Sequence, residues 1–270
     1  VNPSSLALMQ VMLVDFERAL SVFALCVVRL MATFVVVPFT GPKVLPTLGR
    51  AGLAISLAVI IFPAVYAEYP QEGLEYPSLA AIVVKEVFIG LAIGFLVSIV
   101  FWAAESIGHF IDTHRGATLA GAMFQTLGEQ SSPLGGFLLQ LSIAMFLIAG
   151  GLPVFLNGYY ESFVAWPVLS YFPEIRLSAV DFFIDQFALM IFTAVVLAAP
   201  IVIAMFLVEF ALALMNRFVP QLQVFFLALP VKSAIAIFIL IFYIEYLLIY
   251  LRTEMARIGT YYIDLINLFS

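Results

Sequence analysis

Charge is what this sequence has least of. Only 10% of its 270 residues are Asp, Glu, Lys or Arg, against about 25% in an ordinary soluble domain. That scarcity excludes a soluble globular enzyme, a disordered chain and a coiled coil. A basic excess is also missing: 11 Lys and Arg face 17 Asp and Glu, a net charge of −6, so there is no footprint for nucleic acid. Cysteine occurs once, at Cys26, which rules out an intramolecular disulfide. Residues Val1 to Gln10 lack the positive region of a secretory signal. Insertion is therefore expected to rely on the first hydrophobic segment, and the start at valine points to a processed, trimmed or unusually initiated terminus. What fills the space is apolar: 64% of residues are hydrophobic and the mean hydropathy is +1.16. This is the composition of a membrane-system protein.

Six apolar stretches stand out: Ala19 to Val37, Ala51 to Ala67, Leu79 to Ala104, Leu134 to Leu156, Gln186 to Val208 and Ser233 to Leu251. Each approaches the roughly 20 residues a helix needs to cross a bilayer. Lys and Arg in the loops do not orient them. Lys43, Arg50, Arg115, Arg217 and Lys232 fall on one side, and Arg18, Lys85, Arg176, Arg252 and Arg257 on the other.

Length argues against simple spanning. Ser78 to Asp112 is proline-free and reads as one helix, about 52 Å long at 1.5 Å per residue. Val231 to Phe269 is also proline-free and reaches about 58 Å. Both exceed what tilt absorbs, so much of their apolar surface is expected to lie against protein. Pro38, Pro42, Pro46, Pro63, Pro153, Pro200, Pro220 and Pro230 fall in or beside apolar stretches. Proline removes a backbone donor, and eight such positions favour broken helices and re-entrant hairpins.

The third long helix, read over Ser78 to Asp112, carries Glu86, Gly90, Gly94, Ser98, Glu105, Gly108, His109 and Asp112 at near-helical spacing. Small residues so spaced make a tight helix–helix seam; the sharper alternative is a lining that faces water or a polar partner. Glu105, His109 and Asp112 share a face but have no second ligand cluster, and neither His109 nor His114 fits a zinc pattern. No phosphate loop, nucleophile elbow or Ser-His-Asp arrangement is readable, so the expectation is no enzyme, no cofactor and no metal.

Two loops are different in kind. Arg115 to Pro133 reads RGATLAGAMFQTLGEQSSP, long for a connection between helices. Its Met123 and Phe124 form either an interfacial turn or a deformable apolar closure of a conduit. The second loop holds Asn216, Arg217, Pro220 and Gln221, either an ordinary polar tip or a set of inter-subunit hydrogen bonds.

Three motifs, taken in order, resemble one family. Arg29 to Pro63 presents Arg29, Pro38, Gly41, Pro46, Arg50, Gly52, Leu53 and Ala54; Lys85 to Phe95 reads KEVFIGLAIGF; Leu214 to Lys232 reads LMNRFVPQLQVFFLALPVK. They resemble the T-type export-gate (export apparatus) proteins of type III secretion systems, counterparts of the flagellar R-type protein. The resemblance implies an all-α protein of long, kinked helices and hairpins, a subunit of a cone-shaped gate rather than a six-span bundle. It implies an R-like part over 1–185, with a plug loop around 115–133, and an S-like hairpin plus C-terminal helix over 186–270. It implies a non-enzymatic role in forming and sealing the conduit for unfolded proteins across the bacterial inner membrane, with the assembly projecting toward the periplasm. The plug would be Leu119, Met123 and Phe124. The polar stripe would be Glu86, Gly90, Gly94 and Glu105, and the hairpin contacts Pro38, Gly41, Arg50, Asn216, Arg217, Pro220 and Gln221. Implied partners are R-type and S-type subunits, a U-type switch protein, a V-type export protein, inner rod and needle proteins, unfolded substrates and membrane lipid. The runner-up is a secondary transporter for a small solute, with Glu86 or Glu209 as a midplane carboxylate.

Overall fold

The computed structural model describes residues 3–42, 44–70, 76–116, 132–170, 177–218 and 224–269. Among them every regular element is helical. The helices are α1 (Pro3–Val36), α2 (Thr47–Glu68), α3 (Tyr76–Arg115), α4 (Pro133–Ile148), α5 (Gly151–Ala165), α6 (Leu177–Phe218), α7 (Val224–Ala256) and α8 (Ile258–Phe269). A single 3-10 turn, Pro38–Thr40, follows α1.

Local chemistry sets most of the ends. No proline or glycine interrupts α1 after its first residue. It stops where Val37, preceding Pro38, takes extended geometry at φ −72° and ψ 124°, because the proline ring disfavours the helical region for its neighbour. Helix α4 opens on a Ser132 N-cap followed by Pro133, and the Ser132 hydroxyl accepts from the Gly135 N–H. It ends before Gly150, whose φ of +77° is the left-handed stop that glycine adopts without a Cβ penalty. The Leu134 to Leu156 stretch is thus two helices, not one.

Prolines behave less disruptively than expected. Pro63, Pro200 and Pro230 lie inside α2, α6 and α7, which run on through them. One missing donor removes a single rung, and in a 42-residue helix such as α6 the remaining ladder carries the axis past it. Of the eight, Pro38, Pro46 and Pro153 sit at helix starts or caps, Pro42 lies in a turn, and Pro220 lies outside the described residues. Helix α3 is the uninterrupted element its length predicted, at 40 residues. The C-terminal one is not: Arg257 separates α7 from α8, its N–H bonded to Glu254 O at 3.0 Å, one residue short of helical reach.

The chain divides into two compact units, 1–98 with 153–180 and 258–270, and 99–152 with 181–257. In the first, α1 packs along α2, and Leu25, Leu30 and Phe34 of α1, Ile93 and Val97 of α3 and Phe155 of α5 are buried. In the second, α4 packs on α7 around Ile107, Ile111, Leu138, Leu197, Ile201 and Leu247. Among the described residues, five helices are long and apolar enough to cross a membrane, six if α4 and α5 count as one broken span. Their surroundings differ sharply: 67% of the apolar window of α3 is buried within the chain, against 17% for Leu227–Ile266.

Candidate functional site

Two polar clusters stand inside the apolar framework, one in each unit. The first joins α1 to α3. Glu86 accepts from Arg29 through both oxygens, Oε2 at 2.6 Å from Nε and Oε1 at 2.9 Å from Nη2. Lys85 Nζ lies 3.1 Å from the same carboxylate. All three side chains are fully buried. Two cations against one anion would leave a naked positive charge in a low-dielectric interior, a severe cost. Backbone carbonyls spread it out: Lys85 Nζ donates to Pro167 O, Val168 O and Ser170 O at 2.7–2.9 Å, and Arg29 Nη2 donates to Trp166 O at 2.8 Å. Arg29 also donates to Ser162 Oγ at 3.0 Å and lies 3.9 Å from the Phe163 ring centroid. These acceptors lie at and beyond the C-terminus of α5, where orphan carbonyls and the helix dipole favour cations.

Glycines allow that pairing. A Cβ on Gly90 would sit 2.8 Å from Ala32 Cβ, and one on Gly94 would sit 2.9 Å from Thr33 O. Thr33 Oγ1 and Ser98 Oγ donate across the seam to Gly90 O and Val36 O at 3.0 and 3.2 Å. Glu86, Gly90 and Gly94 are therefore brought together against α1. Glu105 is not with them; it is part-exposed, 3.9 Å from His109 Nε2 on its own helix.

The second cluster ties α3 to α4. Asp112, fully buried, accepts through Oδ2 from Ser132 Oγ at 2.6 Å and from the Leu134 N–H at 2.9 Å. Its Oδ1 lies 2.7 Å from Arg115 Nε. Ser132 Oγ in turn accepts from the Gly135 N–H at 2.8 Å. A Cβ on Gly108 would collide with the Gly135 backbone, and one on Gly135 would reach Glu105 O at 3.0 Å. Asp112 had been legible only as a member of a helical stripe; nothing in its spacing gives a partner twenty residues downstream.

Of the hairpin residues, Pro38, Gly41 and Arg50 are partly exposed, and Asn216 and Arg217 lie exposed near the end of α6. Leu119, Met123, Phe124, Pro220 and Gln221 fall outside the described residues. The two carboxylates a solute carrier would use are committed elsewhere: Glu86 is sealed in its ion pairs, and Glu209 pairs with Lys232 at 3.1 Å. No group of three or more metal-ligating side chains occurs among the described residues.

Residues 20–258 match the family described as bacterial export proteins, family 1. The chain belongs to this family. It is 43% identical over 228 residues, 84% of its own length and 87% of the relative's, to the Yop proteins translocation protein T of Yersinia pestis. The flagellar biosynthetic protein FliR of Bacillus subtilis is 33% identical over 220 residues, covering 81% and 84% of the two chains. The secretion system apparatus protein SsaT of Salmonella typhimurium is 31% identical over 222 residues, covering 80% and 83%. Both polar clusters lie inside the matched span. With its apolar helices, this member of the export family is a multi-pass, all-α membrane protein.

Proposed function

We propose that this chain is a non-enzymatic subunit of a type III secretion export gate in the bacterial inner membrane. There it helps to form and seal the conduit through which unfolded proteins leave the cytoplasm. The observation that carries this reading is the likeness to a translocation protein T over 84% of the chain, together with the match to the export family over residues 20–258. The fold supplies a physical reason. Helices α6 and α7 present apolar residues that stay exposed among the described residues, including Phe192, Phe206, Phe210 and Phe218, then Phe238 and Phe242. An apolar face of that extent calls for lipid or for other subunits. R-type and S-type gate subunits are the partners proposed for it, with U-type and V-type export proteins and the rod and needle proteins bound to the assembled gate.

Within this reading, 1–185 is the R-like part and 186–270 the S-like part, and the assembly rises toward the periplasm. Leu119, Met123 and Phe124 form the plug, an apolar closure that excludes water and ions until a substrate displaces it. Pro38, Gly41, Arg50, Asn216, Arg217, Pro220 and Gln221 contribute to contacts between subunits.

Affinity purification of the tagged chain from cells that express the whole apparatus tests the proposal. The expected result is a stoichiometric complex with two other small hydrophobic subunits that survives mild detergent. A lone monomer, or a symmetric dimer carrying a bound solute, would overturn it.

A further inference from the structure

We propose that a cleft beside the end of α2 is a docking site for a basic, amphipathic segment of a partner protein. The segment would set an apolar side chain within one helical turn of a lysine or arginine. The inference goes beyond the gate reading and does not depend on it, because the cleft belongs to the first compact unit alone.

The cleft has a volume of about 320 Å³ and lies between the last turns of α2 and the chain at and after the end of α5. Ile61, Val65 and Val168 in its lining are buried, while Val164 is 83% exposed. The one charged residue among those that line it is Glu68, the last residue of α2. Its carboxylate is exposed and has no ion pair or hydrogen bond among the described residues.

Both walls are held from behind. Lys85 donates to Pro167 O, Val168 O and Ser170 O, and Arg29 donates to Trp166 O. On the α2 side, Arg18 donates to Tyr66 O at 3.0 Å and to Tyr69 O at 2.6 Å, with its guanidinium 4.4 Å from the Tyr66 ring centroid. The cleft is therefore preformed, and a preformed site loses little ordering entropy when it is filled.

Charge selects the occupant. Of the described cations in this unit, Arg29 and Lys85 are buried, Arg18 is committed to two carbonyls, and Arg50 lies at the opposite end of α2, in its first turn. The carboxylates are left outside. Asp15, Glu17, Glu68, Glu161 and Asp264 are all exposed, and none has a cationic partner among the described residues. Asp15 and Glu17 sit within a turn of Arg18 on α1, so they share with Glu68 one end of the α1–α2 pair. The carbonyl end of the α2 dipole adds to the negative potential there. An anionic headgroup or an acidic peptide would be repelled, and a purely apolar group would desolvate Glu68 without pairing it. A lysine or arginine beside an apolar anchor suits both the cleft and the carboxylate.

The test places a benzophenone amino acid at Val164 in the full chain, in cells that express the whole apparatus. Irradiation is expected to give an adduct that mass spectrometry maps to another protein, with a lysine or arginine within about four residues, one helical turn, of the attachment. Glu68→Gln should cut the yield of that adduct severalfold, Glu68→Lys should abolish it, and Glu68→Asp should keep most of it. Replacing the mapped base with glutamate should restore the adduct to the Glu68→Lys chain. A lipid adduct, an adduct to the chain's own sequence, attachment in a segment without a base, or no adduct at all would overturn the inference. So would a yield that Glu68→Gln leaves unchanged. Should the chain fail to accumulate with the probe at Val164, the same probe at Ala64, exposed on the facing wall, decides by the same outcomes.

Discussion

At the scale of single residues, three charges buried together join α1 to α3. Arg29, Lys85 and Glu86 are fully buried, and the arrangement survives because one carboxylate and four carbonyls face two cations. Removing one member of a buried pair strands the others, at a cost of about 3–5 kcal/mol. Glu86→Gln should therefore lower the thermal midpoint of the purified complex markedly and reduce its yield. It keeps the volume and loses only the charge, so an unchanged midpoint would show that the carbonyls suffice by themselves. The stripe on α3 was legible from spacing, including its reading as a close seam through Gly90 and Gly94. The identity of Glu86's partner was not. Arg29 is fifty-seven residues away, and the helical period says which side chains share a face, never which face they meet.

Among the elements, length was more legible than continuity. The proline-free run over α3 does form one helix of 40 residues. Proline was the weaker guide, because its effect depends on position: it starts α4 at Pro133 yet passes through α6 at Pro200. Within α6 the Pro200 ring removes the bond to Val196 O and crowds that carbonyl. Pro200→Ala should restore the rung and raise stability by about 1–3 kcal/mol, with the complex assembling normally. Loss of assembly on this substitution would mean that a local bend at Pro200 is needed. Glycine decides the path where the backbone turns left-handed, at Gly116 and Gly150, because no Cβ opposes that conformation; neither turn was read from the sequence.

Across the whole molecule, exposure is the informative quantity. Ile203, Leu207, Phe210, Leu214 and Phe218 recur along one side of α6 and are all half-exposed or more. The stripe ends beside Asn216 and Arg217, both exposed. An interface with a desolvated apolar centre and a charged rim has this composition. Charges at a rim mainly tune association rate and salt dependence. Arg217→Ala is accordingly expected to cut the partner subunits retained at raised salt severalfold while leaving the helices intact. Retention equal to the parent at every salt concentration would assign Arg217 to a solvated tip.

The sequence by itself determined the class, the helical content and the family, because hydropathy, proline spacing and short motifs are written locally along the chain. It also singled out Arg29, Glu86 and Asp112, but not Ser162, Trp166, Ser132 or Leu134, which complete the two clusters. Only the tertiary structure decided their partners: Glu86 with Arg29 and Lys85, and Asp112 with Ser132 and Leu134. It likewise decided that Pro63, Pro200 and Pro230 lie within helices. The reason is common to both. A buried charge and a missing donor are tolerated or not according to what stands opposite them, and what stands opposite comes from distant parts of the chain. The scarcity of charge first marked the protein as one built for a membrane. In the folded chain a few of those charges, Arg29, Lys85, Glu86 and Asp112 among them, serve as fasteners between helices.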